Sequence, residues 1–397
     1  MARVTGHWQD TSFDVNSRSA RWSALLFGVV SVQTFILQPG FVQGFVEHLR
    51  FTEQQAGLVA SAEIGGIAAT SLAFAFLSSR LNWRRAVLVC AILAGLADLA
   101  SAFATDFTAF AGLRFVAGLG LGGLASLSWA AIGLTKDPDR GFALYVGWCL
   151  VYGAAGIFAL PMALAMIGMS GVMIALSLMT LASAPCARFM PVSADNRGAP
   201  NPDALEISGA MKALVLAGVL TFNVALSATW AYLFLVGVDQ GIGEQVVANV
   251  LALSQLAAVL GAVVPYVMAQ KFGRIAPLTL GLLGCAASAA LLAGRTSLLS
   301  FAIGVSVFNF LWNVVLPYTF ASLSSFDRSG RMVVYGVAVQ MIGLGIGPAV
   351  GAAVLESGDL GSILLMSAVL ILASLAMILV ASLHHRARWR AELQPVR

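Results

Sequence analysis

The sequence predicts an all-α membrane protein whose twelve transmembrane helices form two pseudo-symmetric six-helix bundles. Three observations support this fold class. Of the 397 residues, 59% are apolar and only 10% are charged, and apolar runs of such length are typical of membrane spans. The basic residues are concentrated in alternate loops, and the second half of the chain repeats polar positions of the first half.

Twelve apolar segments are long enough to cross about 30 Å of hydrocarbon at about 1.5 Å per residue. The fifth and sixth are separated only by residues 168–171, while Pro39 in the first and Pro317 in the tenth permit kinks. The predicted spans lie near residues 22–46, 55–79, 85–105, 107–135, 141–165, 168–188, 210–236, 245–269, 275–294, 297–323, 332–355 and 360–383.

The distribution of basic residues predicts the orientation. With both termini in the cytoplasm, the outer loops contain only Arg50 and Arg295, and Arg114 lies within a span, so 19 of the 22 basic residues face the cytoplasm (22 − 3 = 19). The positive-inside rule favours this arrangement. We therefore expect a multi-pass protein of the cell (inner) membrane with two cytoplasmic termini.

An internal repeat divides the chain. An offset of about 190 residues aligns Gln33 with Asn223 and Gly153 with Gly343, which indicates two six-helix halves in parallel orientation. The predicted organisation is a cytoplasmic tail (1–20), a first bundle (21–190), a polar linker (191–208), a second bundle (209–384) and a basic cytoplasmic tail (385–397).

The composition argues against several functional classes. The four histidines lie outside the spans, and the four cysteines, in or at the end of spans, form no CxxC pair, so no metal site or disulfide is expected. The sequence contains no nucleotide-binding loop and no nucleophile–histidine arrangement within the spans. We therefore expect no enzyme, no cofactor and no nucleic-acid partner. The expected partners are a small solute, protons and the lipid bilayer, with the protein functioning as a monomer.

An arginine lies inside the apolar fourth span. Arg114 follows the turn at Asp106 by eight residues, and Asp98 precedes that turn by eight residues. Equal distance from the turn places both side chains at equal depth in an antiparallel helix pair, which predicts that Asp98 and Arg114 form a buried ion pair. The pair either pins two helices together or belongs to a proton or substrate relay. Glycines at 118 and 122 predict close approach of a neighbouring helix.

Glu63 is the second candidate for proton coupling. It lies in the middle of the second span, which contains no basic residue. Since burial of a lone ionised carboxylate is costly, such a group tends to take up a proton. The alternative is a neutral glutamic acid that bonds a neighbouring helix. The proton-coupling residues we predict are therefore Glu63, Asp98 and Arg114.

Carboxamide and aromatic side chains lie together on single faces of several spans. This pattern favours a binding site for a planar or partly apolar organic solute, with Arg114 available to a carboxylate. Taken one at a time, each side chain is equally compatible with helix–helix or lipid contact. The predicted substrate-binding residues are Gln33, Arg114, Trp148, Tyr152, Asn223, Trp230, Asn309, Trp312, Asn313 and Gln340.

Three motifs resemble those of the major facilitator superfamily. They are the fourth-span sequence RFVAGLG (114–120), the loop QKFGR (270–274) and the glycine-proline motif GLGIGPAVG (343–351). The resemblance implies alternating access, with the third, sixth, ninth and twelfth helices packed outside a central cavity. In the first half, the loop SSRLNWRR (78–85) lacks the family's usual aspartate and glycine. The gating-loop residues are then Arg80, Arg84, Lys271 and Arg274, and Arg80 and Lys271 need other partners, such as helix-end carbonyls or lipid phosphates.

The combined pattern predicts a secondary active transporter. Our first interpretation is proton-coupled uptake of an organic acid, with an aromatic carboxylate as one candidate. The alternative is a proton-antiport exporter of drugs or metabolites, although residues 153–161 of the fifth span lack the glycine-proline motif that marks exporters of the resembled family. A receptor or membrane enzyme is a third interpretation, which no soluble domain or catalytic motif supports.

Overall fold

The structure is a computed structural model that describes residues 14–77, 80–192, 206–268, 273–327 and 331–393. The α-helices in this part of the chain are α1 (Arg18–Ser31), α2 (Gln33–Leu49), α3 (Glu53–Leu77), α4 (Trp83–Ser101), α5 (Phe107–Gly133), α6 (Pro138–Ser183), α7 (Gly209–Asp239), α8 (Glu244–Met268), α9 (Ile275–Ala293), α10 (Leu298–Ser325), α11 (Arg331–Leu355) and α12 (Leu360–Leu393). A 3-10 helix, Ala184–Phe189, follows α6.

Short polar side chains fix the starts of these helices. Asn82 accepts a hydrogen bond from the Arg85 N–H at 3.1 Å, and Asp106 accepts one from the Ala109 N–H at 2.9 Å. Each bond satisfies a first-turn N–H that has no partner within its own helix. The turn at Asp106, from which we predicted the depth of Asp98 and Arg114, is therefore the N-cap of α5.

The predicted first span lies within one membrane-length segment, Arg18–Leu49, whose helix is interrupted once. α1 ends at Ser31 and is capped by Val32 (φ −112°, ψ 7°), whose N–H turns back to the carbonyl of Val29, and α2 begins at Gln33. Pro39, where we expected the weak point, lies inside α2 and does not end it. The break instead coincides with the polar run Ser31, Gln33 and Thr34, where side chains offer the backbone and neighbouring helices alternative hydrogen bonds.

The predicted fifth and sixth spans run together as α6, 46 residues long. Its one non-helical residue is Gly168, with φ 65° and ψ 180°. This left-handed conformation costs glycine little because glycine lacks a Cβ. The boundary predicted at residues 168–171 is therefore a kink at a single glycine.

Ten segments of the described residues are long and apolar enough to cross a membrane, and one of them, Arg140–Phe189, has 50 residues. α4 is not among them and carries Arg84, Arg85 and Asp98 within its 19 residues. The chain is therefore an all-helical, multi-pass membrane protein. The exact number of twelve spans and the two six-helix bundles stay predictions.

The described residues group into two compact units. Unit 1 draws on Met1–Leu37, Ala62–Gly153 and Ala163–Arg197, and unit 2 on Gln38–Ser61, Ala154–Met162 and Gly198–Arg397. Segments 38–61 and 154–162, which we predicted to belong to the first bundle, thus group with unit 2. The division of the sequence at the polar linker stays a prediction, and residues 193–205 of that linker lie outside the described part.

The core of unit 1 is built on α1, α4 and α5. Phe27, Trp83, Leu121 and Leu124 are fully buried in one apolar cluster. Between α1 and α5, the Ser128 hydroxyl donates to the Ala24 carbonyl at 2.6 Å. These contacts hold α5, the helix that carries Arg114, at the centre of the unit.

The core of unit 2 is built on α7. The Ser227 hydroxyl donates to the Leu344 carbonyl of α11 at 2.7 Å, and the Ser374 hydroxyl of α12 donates to the Gly218 carbonyl at 2.7 Å. Gly343 and Gly347 of α11 lie directly against the α7 backbone, where an added Cβ would be 2.8 Å from the Leu220 carbonyl oxygen and 2.6 Å from that of Val224. The glycine-proline motif therefore serves as a helix-packing face.

The end of α2 and the start of α3 are bonded to the C-terminal helices of unit 2. Gln43 donates to the Glu244 carboxylate of α8 at 2.7 Å, and the Ala349 N–H of α11 donates to the Ser61 hydroxyl at 2.9 Å. The Tyr232 hydroxyl of α7 donates to the Glu53 or Pro348 carbonyl, each at 3.3 Å. These bonds explain why residues 38–61 group with the C-terminal helices.

Candidate functional site: a buried ionic cluster

The site begins with close packing between α3 and α5. A Cβ added at Gly118 would clash with the Glu63 carbonyl, and one added at Gly122 would clash with the Ile67 carbonyl. The contact is reciprocal, since a Cβ at Gly66 would clash with the Phe115 carbonyl. Small residues on both helices let the backbones touch. This confirms the close approach predicted from Gly118 and Gly122 and identifies α3 as the neighbour.

The opposite side of α5 packs equally closely against α4. A Cβ at Gly120 would lie 2.5 Å from the Cys90 carbonyl oxygen and 2.8 Å from the Ala94 N–H nitrogen. The glycine-rich stretch therefore brings α3 and α4 against two sides of one helix. As a result, an acidic residue from each neighbouring helix reaches Arg114.

Arg114 binds two carboxylates at once. Its Nη1 donates to Asp98 Oδ1 at 2.6 Å, its Nη2 donates to Glu63 Oε1 at 2.7 Å, and its Nε donates to Glu63 Oε2 at 3.2 Å. The bond to Glu63 is a bidentate fork, the strongest geometry available to a guanidinium. Arg114 and Asp98 are 0% exposed and Glu63 is 7% exposed. The predicted Asp98–Arg114 pair is therefore present.

The expectation that Glu63 stands alone in the membrane is wrong. Its carboxylate is held by Arg114 and also accepts a hydrogen bond from the Thr34 hydroxyl of α2. The span that contains Glu63 has no cation, and the partner lies 51 residues away on α5. The signal that could have found it is the pairing of Gly66, near Glu63, with Gly118, near Arg114.

The charges in this cluster do not cancel. Two carboxylates and one guanidinium sum to −1 when all three are ionised, and an uncompensated buried charge is costly. Within the described residues, Asp98 Oδ2 is buried and has no hydrogen-bond partner. One proton on either carboxyl group would make the cluster neutral: Asp98 Oδ2 has no partner in the described part of the chain, whereas Glu63 is the one of the two acids with any exposed surface.

The broken region between α1 and α2 lies beside the cluster. Thr34, which bonds Glu63, follows Gln33, whose Nε2 donates to the Thr180 hydroxyl of α6 at 3.1 Å. Gln33 Oε1 is buried without a partner among the described residues. A predicted substrate residue thus lies next to the ionic cluster with a free acceptor.

The remaining predicted substrate residues of unit 1 differ in position. Trp148 is 46% exposed and packs edge-on against Trp22 with ring centroids 6.1 Å apart. Tyr152, one helical turn further along α6, is half-buried. Trp148 belongs to an exposed aromatic pair, and its role in substrate binding stays a prediction.

In unit 2, one predicted carboxamide bonds a neighbouring helix and two bond carbonyls of their own helices. Asn309 donates to the Ser254 hydroxyl at 2.6 Å, Asn313 donates to the Asn309 carbonyl at 2.9 Å, and Asn223 donates to the Val219 carbonyl at 2.8 Å. Asn223 Oδ1 remains buried without a partner among the described residues. Gln340, on α11, is also buried.

The two predicted tryptophans of unit 2 form a pair. The rings of Trp230 on α7 and Trp312 on α10 lie 6.2 Å apart at 65°, an edge-to-face arrangement. Trp230 is 2% exposed, whereas Trp312 is partly exposed. The pair joins two helices that we predicted to carry substrate residues.

Two of the four predicted gating-loop residues bind carbonyl groups. Arg84 donates to the Met190 carbonyl at 2.7 Å, and Arg274 donates to the Ala321 carbonyl at 2.6 Å. Carbonyl or lipid-phosphate partners were expected for Arg80 and Lys271, and for these two residues the expectation stays a prediction. Arg80 is exposed, and Lys271 lies outside the described residues. In the described part of the chain, His, Cys, Asp and Glu side chains form no group that could hold a metal ion.

With ten membrane-length apolar segments among its described residues, the chain is a polytopic membrane protein. Comparison with known proteins gives the family. The model of the Major Facilitator Superfamily matches residues 23–326, more than half of the sequence, so the chain belongs to this superfamily and is a transporter, not an enzyme. No curated protein matches it significantly.

Among solved structures, the chain resembles the crystal structure of a point mutant of the nucleoside transporter NupG. The TM-score is 0.68 with 11% sequence identity, and the match covers 93% of this chain and 99% of that chain. At this identity the likeness shows a shared fold. The family membership and the fold together make the protein a secondary transporter.

Proposed function

We propose that this protein takes up a small organic acid, coupled to protons, by alternating access. The observation that carries the proposal is the fully buried Glu63–Arg114–Asp98 cluster with its excess carboxylate. Ionisable groups inside a membrane usually mark a substrate or ion pathway. A cluster that requires one proton for neutrality is suited to carry that proton across the membrane.

The coupling step follows from the charges. Protonation of Glu63 removes the negative charge from its fork and leaves Arg114 paired with Asp98 alone. Two of the guanidinium donors, Nε and Nη2, are then free for another acceptor. Release of the proton restores the Glu63 fork and expels that acceptor. Proton binding and anion binding are thus favoured in the same state, as symport requires.

The substrate class follows from the competition between Glu63 and the substrate for the guanidinium group of Arg114. A carboxylate has the geometry to replace Glu63 on the guanidinium fork. Beside the fork, Gln33 Oε1 has no hydrogen-bond partner among the described residues and offers an acceptor to the body of the substrate. A nucleoside, the substrate class named for NupG, has donors for this acceptor but no carboxylate for the fork.

The test is transport into proteoliposomes under an imposed pH gradient. We would screen pooled aromatic and aliphatic carboxylic acids, nucleosides, sugars and cationic dyes. Gradient-driven accumulation of an acid supports the proposal. Accumulation of nucleosides without acids would contradict the substrate class, and dye expulsion driven by proton entry would contradict the direction and favour the exporter.

A matched pair of variants assigns the coupling site. Glu63→Gln removes the proton-accepting group next to Arg114, so uptake should no longer respond to the pH gradient. Glu356→Gln makes the same chemical change at an exposed position and should leave gradient-driven uptake unchanged. Equal gradient dependence in both variants would exclude Glu63 as the coupling residue.

A further inference from the structure

A cavity lies far from the ionic cluster, within unit 1. It has a volume of about 470 Å³ and is bounded by the start of α1, the end of α5 and the start of α6. Ile132 in its wall follows Arg114 by 18 residues on α5, which corresponds to about 27 Å of helix. The two sites are therefore separate, and the cavity lies on the face that the distribution of basic residues predicts to be cytoplasmic.

Three cations line this cavity. Arg21, Lys136 and Arg140 come from three different parts of the chain and are all exposed. Among the described side chains, none of the three forms an ion pair. Asp137 is the one acidic residue of the described lining, and its Oδ1 caps α6 by accepting the Arg140 N–H at 3.2 Å. The electrostatic balance of the cavity therefore favours an anion.

Most of the remaining lining is apolar, with Asn16 and Thr135 as its polar members. Ala20, Ala24, Leu25, Ala131 and Ile132 are buried in its wall, and Leu144, 47% exposed, lies at its edge. A soluble anion such as inorganic phosphate gains nothing from such a wall. A ligand with a charged head and a hydrocarbon body matches both parts of the lining.

The level of the cavity in the membrane is indicated by an aromatic pair. Trp22 directly follows Arg21, and its ring packs edge-on against Trp148 of α6 with centroids 6.1 Å apart. Both rings are about half-exposed, at 56% and 46%. Exposed tryptophans of membrane proteins are enriched at the headgroup level, where an apolar ring with one polar group fits best.

The backbone holds the cavity in shape. Asn16 Oδ1 accepts the Lys136 N–H at 2.7 Å and ties the segment before α1 to the α5–α6 loop. Both α1 and α6 begin at this cavity. Their N-terminal ends carry partial positive charge, which adds to that of the three side chains.

We propose that this cavity binds the phosphate headgroup of an anionic phospholipid, with the acyl chains along the apolar wall. A lipid whose headgroup carries a net negative charge, such as phosphatidylglycerol, forms favourable electrostatic contacts with the three cations. The choline of a zwitterionic lipid would add a fourth positive charge beside them. Basic pockets on the cytoplasmic side of membrane proteins bind anionic headgroups in this manner.

The test is native mass spectrometry of the purified protein in a neutral detergent. Phosphatidylglycerol or phosphatidylcholine is added, and the bound fraction of each is compared in the parent and in the triple variant Arg21→Gln, Lys136→Gln, Arg140→Gln. We expect the parent to prefer phosphatidylglycerol, with binding about fivefold weaker for each cation removed. The matched control is Arg85→Gln, Arg188→Gln, Arg386→Gln, which removes three exposed cations outside the cavity and should keep the preference.

Three results would overturn the proposal. They are equal binding of the two lipids by the parent, an equal loss in the control variant, and displacement of phosphatidylglycerol by millimolar inorganic phosphate, which would assign the site to a soluble anion. Gel filtration verifies that the triple variant is folded. Should it aggregate, Arg21→Gln alone must weaken phosphatidylglycerol binding about fivefold, and an unchanged affinity in that variant would equally overturn the proposal.

Discussion

At the scale of single residues, the charge count of the ionic cluster governs its behaviour. Arg114 has two acidic partners, Glu63 and Asp98, although one would balance its charge. Either acid can therefore be neutralised without leaving the guanidinium unpaired. Removal of the only partner of a buried charge, in contrast, costs about 3–5 kcal/mol.

The first prediction follows from the presence of two acidic partners for one arginine. Glu63→Gln and Asp98→Asn should each keep thermal stability in detergent close to that of the parent, because a neutral pair remains. The double variant should lose about 3–5 kcal/mol, because Arg114 then has no acidic partner. Adding Arg114→Met to the double variant should recover much of this loss. A double variant no less stable than the two single variants would contradict the coupling of the three groups.

Half of this cluster could be predicted from the sequence. Asp98 and Arg114 share one helical hairpin, so counting from the turn at Asp106 places them at the same depth. Glu63 is on another helix, where depth alone does not specify a partner. The contact depends on which faces of α3 and α5 meet, and that is decided by the glycines of both helices together.

At the scale of helices, the glycines of α5 determine how near α3 and α4 lie. Gly118 and Gly122 face α3, whereas Gly120 faces α4. The spacing of the glycines predicted that α5 packs closely against a neighbouring helix. It did not predict that two helices, α3 and α4, pack against α5. The break at Val32 between α1 and α2 was not predicted, because the sequence there has neither proline nor glycine and its polar residues find partners only in the folded chain.

The second prediction concerns the α3–α5 contact. Gly118→Ala places a Cβ against the Glu63 carbonyl, which must move because it is backbone. We expect a loss of about 1–3 kcal/mol, as for overpacked cores, and weaker transport since Glu63 moves with its backbone. The control is Gly112→Ala on the same helix, where a Cβ meets nothing within 4 Å. Thermal unfolding of both variants in detergent measures the difference, and equal stability would contradict the contact.

At the scale of the whole molecule, unit 2 contains the contacts expected of a closed gate. The α2–α3 region bonds α7, α8 and α11 through Tyr232, Glu244 and Ala349. In alternating access such contacts must form in one state and break in the other. The family fold and the membrane-length helices were predictable from hydropathy and motifs, whereas these contacts join segments far apart in sequence that no short motif links.

The third prediction tests this gate. A Cβ at Gly57 would clash with the Tyr232 hydroxyl, so Gly57→Trp should hold α3 away from α7. We expect transport to fall at least about tenfold, a cost of roughly 1.4 kcal/mol or more in the closing step, while the purified protein still binds solute. Gly65→Trp lies on the same helix, where a Cβ meets nothing within 4 Å, and should retain more activity. Proteoliposome uptake and equilibrium binding distinguish the two variants; full transport by Gly57→Trp would exclude the gate.

The order of the ionic residues along the chain has a consequence for biosynthesis. An arginine at the centre of a membrane helix costs about 2.5–3.5 kcal/mol during insertion. Glu63 and Asp98 both precede Arg114 in the sequence, so a ribosome completes the two acids first. The arginine therefore leaves the translocon with its partners already synthesised, and α4 and α5 can enter the bilayer as a hairpin in which Asp98 balances the charge of Arg114.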